Sequence, residues 1–222
     1  MANFGQSTFV GSEVVIECGD KMSCCDREQA KAKTDGYNKE IAGDPGDPKS
    51  GGPMQISPGS GDLCNTKCTA QAEAWRSFRE KMDNAGSAAE RQQIAKDNAM
   101  SDCIGESVAS SWESGRRTSR GLRVQMDHTV EVKWGGPASP DGLLALGSRV
   151  NNFFGSICKR TGDDMMKGTP PQEEISAVHF VCNPPCRPPK AADKNKNYST
   201  GPAGKSPPAP VGGNPVRTYL AD

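Results

Sequence analysis

Histidine and aromatic residues are scarce in this sequence. Two histidines stand among 222 residues, aromatic residues make up 5% of the chain and hydrophobic residues 34%. So little apolar material builds one modest core and leaves the ends irregular. Net charge is lacking too, because 27 Lys and Arg balance 27 Asp and Glu. Overall charge therefore gives no ground for a polyanionic partner, and any such ground must come from local clusters. No apolar run approaches the ~18 residues of a membrane-spanning helix. The opening MANFGQSTFVGSEVVIECGD lacks a basic segment followed by an apolar one, which excludes a Sec signal there, so export would use another route. No internal repeat is present.

Glycine (25), proline (17) and cysteine (9) are plentiful. Nine cysteines are many for a cytosolic chain, and the odd number means that intramolecular disulfides cannot use them all. The sequence divides into three parts. Residues 1–62 hold a β-branched stretch, STFVGSEVVIEC (7–18), that predicts a strand or hairpin, followed by a Gly/Pro-rich linker or surface loop over 42–62. Residues 63–187 begin with helical patterning. Ala72, Trp75, Phe78, Arg79 and Met82 form one stripe, Ser87 and Glu90 form a candidate cap, and Ile94, Met100, Ile104 and Val108 are inner residues of a helix over 88–112. Trp75, Phe78 and Trp112 read as core. Residues 188–222 have the composition of a disordered tail.

The chemistry lies in RVQMDHTVEVKWGG (123–136). Val124, Met126, His128, Val130 and Val132 alternate with polar residues, which predicts a strand broken at Gly135-Gly136. Beyond a turn-rich stretch, Leu143, Leu146, Val150, Phe154 and Ile157 recur at helical spacing and predict a helix over 143–160 carrying Asn151. A lone Asp-His pair on a strand is usually structural. The other histidine, His179, lies on an alternating stretch with no acid beside it in sequence and reads as a satisfied strand histidine.

The segment DHTVEVKWGGPASPDGLLALGSRVNNFFG resembles the HNH and endonuclease-VII-like nucleases of the His-Me finger (ββα-metal) superfamily, in versions that serve as domains of bacterial polymorphic toxins and secreted effectors. Asp127-His128, Glu131, Gly135-Gly136, Leu143-Leu144, Asn151 and Gly155 stand at the family's positions, over less than a fifth of the chain. Gly142 departs from the pattern, since the family commonly has an Asn there that pins the loop. The resemblance implies an α+β fold with a small ββα-metal nuclease core, preceded by amphipathic helices. It further implies His128 as general base and Asp127 and Asn151 as ligands of a divalent cation. Mg²⁺ suits a site with few protein oxygens, with Mn²⁺ or Zn²⁺ as alternatives. Glu131 is open among third ligand, orienting residue and solvent-facing side chain. The implied activity is a metal-dependent endonuclease, DNA before RNA, secreted or injected to act in the cytoplasm of a target cell and held in check by an immunity protein.

Two further groups accompany the motif. Arg116, Arg117, Arg120 and Arg123 precede it and Lys159-Arg160 follows, a cradle for a nucleic-acid backbone or a solvated loop. Cys64, Cys68, Cys182 and Cys186 form two equally spaced pairs. They would suit a structural Zn²⁺, disulfides (Cys64–Cys186 with Cys68–Cys182, or the reverse), or free thiols. The competing account is a small cysteine-stapled binding module in which the Asp-His pair is incidental.

Overall fold

Two short hydrophobic cores flank a β-hairpin, and that hairpin carries the Asp-His pair. A computed structural model describes residues 4–46, 50–56, 63–131, 134–136, 142–183, 186 and 217–219, with the backbone alone for 63–68 and 217–219. The fold is α+β. No described helix is long and apolar enough to cross a membrane.

The N-terminal stretch forms the expected hairpin, β1 (Gly5–Val10) against β2 (Glu13–Cys18). β7 (Ala177–Val181) lies parallel to β2, and β8 (Arg217–Tyr219) lies antiparallel to β1, giving the order β7-β2-β1-β8. Residues 1–62 are thus no separate segment. Phe4, Val14, Ile16 and Tyr37 share one core with Val150, Phe154 and Ile157. The Gly/Pro-rich stretch contributes as well, because β3 (Met54–Gln55) pairs with β6 (Glu174–Ile175) and buries Met54 and Ile56. Of the tail expected to be disordered, only Arg217–Tyr219 lies within the described residues, as a strand.

Helix α1 (Cys24–Ala42) has no counterpart in the sequence reading. It starts at a reciprocal cap, in which the Ser23 hydroxyl accepts from the Asp26 amide and the Asp26 carboxylate accepts from the Ser23 amide. Its inner stripe includes Ala30, Lys33, Thr34 and Tyr37, at helical spacing but with little apolar character. The second core gathers α2 (Leu63–Asn84), α3 (Ala88–Asp97), α4 (Asp102–Glu113) and α5 (Ser119–Leu122) around Phe78, Val108 and Trp112, while Trp75 packs on its edge. The helix expected over 88–112 is therefore two helices.

β4 (Val124–Asp127) and β5 (Leu144–Gly147) form the hairpin, with Asp127 opposite Leu144, and α6 (Ser148–Met166) follows directly. Val124, Met126 and Ala145 face the helical core, and Leu146 faces the other. Two expectations are corrected here. Residues 144–147 are strand, because their backbone completes the ladder begun by β4. The first strand stops at Asp127 instead of continuing to Lys133; residues 132 and 133 lie outside the description.

Cysteine pairing also departs from expectation. The parallel register of β7 on β2 sets Glu17 opposite Val181, so the next residues, Cys18 and Cys182, meet in a disulfide. Cys186 pairs with Cys24, and Cys25 with Cys103. Cys182 and Cys186 are thereby committed elsewhere, and the four-cysteine group with Cys64 and Cys68, whether as zinc site or as disulfides, is not the one that forms. The side chains of Cys64 and Cys68 lie outside the described residues.

Candidate functional site

The site begins where β4 ends. Past Asp127 the chain leaves the ladder, and the Gly-Gly turn folds it back: the amides of Trp134 and Gly136 both donate to the Glu131 carbonyl, at 2.9 and 3.1 Å. Gly135 adopts φ +86°, open to glycine and strained for other residues. At Gly136 a side chain has no room, since a Cβ would lie 2.3 Å from the Val130 carbonyl oxygen. Both glycines of the motif are thus required by backbone geometry.

This turn brings Asp127 and Glu131 together around Lys33 of α1. The Lys33 ammonium donates to Asp127 Oδ2 at 2.6 Å and to the His128 carbonyl at 2.7 Å, and stands 3.3 Å from Glu131 Oε1. Lys33 and Asp127 have no solvent exposure, His128 has 2% and Glu131 5%. Burial alone pulls the Lys33 pKa down, but Glu131, Asp127 and the hydrogen bond to Asp127 outweigh it and hold the amine above its ordinary value. Phe154 of α6 lies beneath the ammonium, 5.7 Å from it to the ring centroid. Behind it Tyr37 packs on Trp134 and faces the Cys158 thiol at 3.6 Å, while Trp134 Nε1 donates to the Cys158 carbonyl. Burial pushes both the Tyr37 phenol and the Cys158 thiol up, so both are neutral at physiological pH.

A cleft of about 650 Å³ lies between α1 and the turn, lined by His128 with Gly36, Lys39, Glu40, Thr129 and Gly142. Gly36 sets the width of this contact, because a Cβ there would come within 2.0 Å of the Thr129 methyl. Gly36→Ala would gain about 0.5–1 kcal/mol of helix propensity and lose about 1–3 kcal/mol to overpacking. The expected outcome is a lower melting temperature for Gly36→Ala. Thr129→Ser, which deletes the methyl, should reverse the sign in the double variant. A destabilised double variant would show that the Thr129 contact is not the cause.

Asn151 does not join this group. It sits half-buried in the first turn of α6 and hydrogen-bonds the side chain of Gln125, two strand positions before Asp127. As the side chains stand, they do not fit the cation that the resemblance implies. Asp127 is closed off by an ammonium, and Asn151, whose amide nitrogen donates to Gln125, stands outside the cluster. Among the described residues no group of three or more His, Cys, Asp or Glu is placed to hold a metal ion.

The basic residues are likewise apart from His128. Arg120 and Arg123 line a hollow with Gln125 and Arg149, and Lys159 and Arg160 line another with Asn151; neither shares a residue with the His128 cleft. Arg116 is exposed, and Arg117 pairs with Asp83 at 3.4 Å and lies over Trp112. His179 is on a strand as expected, half exposed, with an acid supplied by the neighbouring strand: Glu13 Oε2 lies 3.4 Å from its Nε2.

The residue that sequence reasoning missed is Lys33, separated from Asp127 by 94 positions. The one local sign of its helix was Ser23-Cys24-Cys25-Asp26, a capping pattern. In comparisons with protein-family models, curated proteins and solved structures, the chain matches none.

Proposed function

We propose that this chain is an endonuclease that hydrolyses phosphodiester bonds of nucleic acid, DNA before RNA, with His128 as general base. The observation that carries this reading is the place of His128. It directly follows the first strand of an antiparallel hairpin that leads into a helix, and it is among the residues that line a cleft. In the reaction, a water oxygen attacks phosphorus as the P–O bond to the leaving oxygen breaks, and the His128 imidazole takes the proton of that water. The proposed activity requires a divalent cation, Mg²⁺ first and Mn²⁺ or Zn²⁺ as alternatives. When bound, such an ion would neutralise charge developing on the phosphate. In the same reading the chain is a secreted or injected antibacterial effector that acts in the target-cell cytoplasm, and an immunity protein protects its producer.

The second reading, a stapled binding module, is favoured by the three disulfides and by the closure of Lys33 over Asp127. Incubation with plasmid and Mg²⁺ or Mn²⁺, with and without EDTA, separates the two. Metal-dependent nicking supports the nuclease, and inertness with every divalent ion supports the module. Because Asn151 is held by Gln125, Asn151→Ala should cleave with the same metal dependence as the unaltered chain. A metal titration checks this, and a requirement for more metal would make Asn151 a ligand after all.

A further inference from the structure

We propose that Lys33 is a positioning residue for His128, fixing from α1 the peptide that carries the base; this rests on the nuclease reading. The hairpin ladder ends at Asp127, opposite Leu144, so the His128 carbonyl lies just beyond the regular pairing. Lys33 Nζ takes up that carbonyl at 2.7 Å and the preceding carboxylate at 2.6 Å, spanning the peptide from both sides. An ammonium with no exposure is an expensive way to stabilise a core, because a well-packed apolar side chain serves as well or better. What an ammonium adds is direction, since it donates at once to the Asp127 carboxylate and the His128 carbonyl, while the Glu131 carboxylate stands as an ion-pair partner at 3.3 Å. The same helix supplies Gly36, Lys39 and Glu40 to the cleft wall, so one rigid element sets both the base and the space before it. Cys24 and Cys25 tie the start of that helix to Cys186 and Cys103.

The test uses the full chain and the variant Lys33→Met/Glu131→Gln, which removes one positive and one negative charge and leaves the balance of the cluster unchanged. Glu131→Gln alone is the control. Because the chain has two histidines, its imidazole carbon-bound proton spectrum has two sets of resonances, and His128→Ala assigns them. The double variant should melt cooperatively and keep KM for plasmid, while kcat falls about 10²-fold, as a base displaced by about an ångström would give. In metal-free protein the His128 resonance should shift or broaden while that of His179 stays in place. Unchanged kcat, or a lower kcat with an unmoved His128 resonance, would overturn the assignment. If the unaltered chain cleaves nothing with any divalent ion, the nuclease reading fails. The resonance still decides whether Lys33 holds His128. Should the double variant not fold, Lys33→Gln/Glu131→Gln, which keeps one amide donor for the His128 carbonyl, is read in the same way. Collapse of both variants would overturn the proposal in favour of charge compensation alone.

Discussion

Under the proposed nuclease reading, replacing His128 is expected to remove cleavage and to leave a folded protein. General-base catalysis contributes typically ~10²–10⁴ in rate, and loss of that order is expected for His128→Ala. The residue is 2% exposed, so alanine also leaves a cavity. His128→Gln retains most of the volume and cannot act as a base near neutral pH, and it should lose the same rate with a smaller drop in melting temperature. Calorimetry and single-turnover cleavage on both variants give the check. Near-normal cleavage by either variant, once shown to be folded, excludes His128 as the base.

The second large effect concerns the staples, and it is non-additive. Cys18–Cys182 and Cys24–Cys186 close loops separated by 164 and 162 residues, almost the same loop twice. By the chain-entropy relation, either one alone restricts the unfolded chain by ~5 kcal/mol. With one in place, the other closes only the short remainder, a loop of about ten residues, for ~2.5 kcal/mol. Removing either pair by Cys→Ser should therefore lower the melting temperature by roughly 5–10 °C. Removing both should destabilise by ~8 kcal/mol, comparable to the whole stability of an ordinary domain. Thermal melts of the two double variants and the quadruple variant decide this. Equal increments, adding to the quadruple effect, would show that the two disulfides do not share a loop.

The legible parts of this molecule are those whose signal is local. The β1–β2 hairpin, the stripe with Phe78 and the Gly-Gly turn each follow from residues a few positions apart. Asp127, His128 and Glu131 came from the motif; the two carboxylates meet around an ammonium that the motif does not contain, and His128 joins them through its backbone carbonyl. Residues 143–147 misled because Leu143 and Leu146 continue the helical spacing of Val150 and Phe154, while their strand state depends on β4. Helix α1 escaped because its buried face is polar. Gln29 accepts from the Gly147 amide and Lys33 has the two carboxylates, so these groups are inside only because distant residues satisfy them, while Thr34 is satisfied within the helix by the Ala30 carbonyl. The cysteine partners escaped for a related reason, since the parallel pairing of β2 with β7 fixes them and no spacing does.

That parallel pairing also fixes a sequence of events. Glu13 pairs with Ala177, and Lys33 reaches Asp127 across 94 positions, so neither contact exists until most of the chain is available. On a ribosome, which delivers residues from the N-terminus at about 5–20 per second, α1 emerges many seconds before any acceptor for its buried ammonium. Pairings this remote form slowly, because loop closure precedes any reward from contact. The cluster that holds His128 therefore cannot form until residues 127–131 have followed α1 out, so the buried face of α1 exists well before the groups that satisfy it.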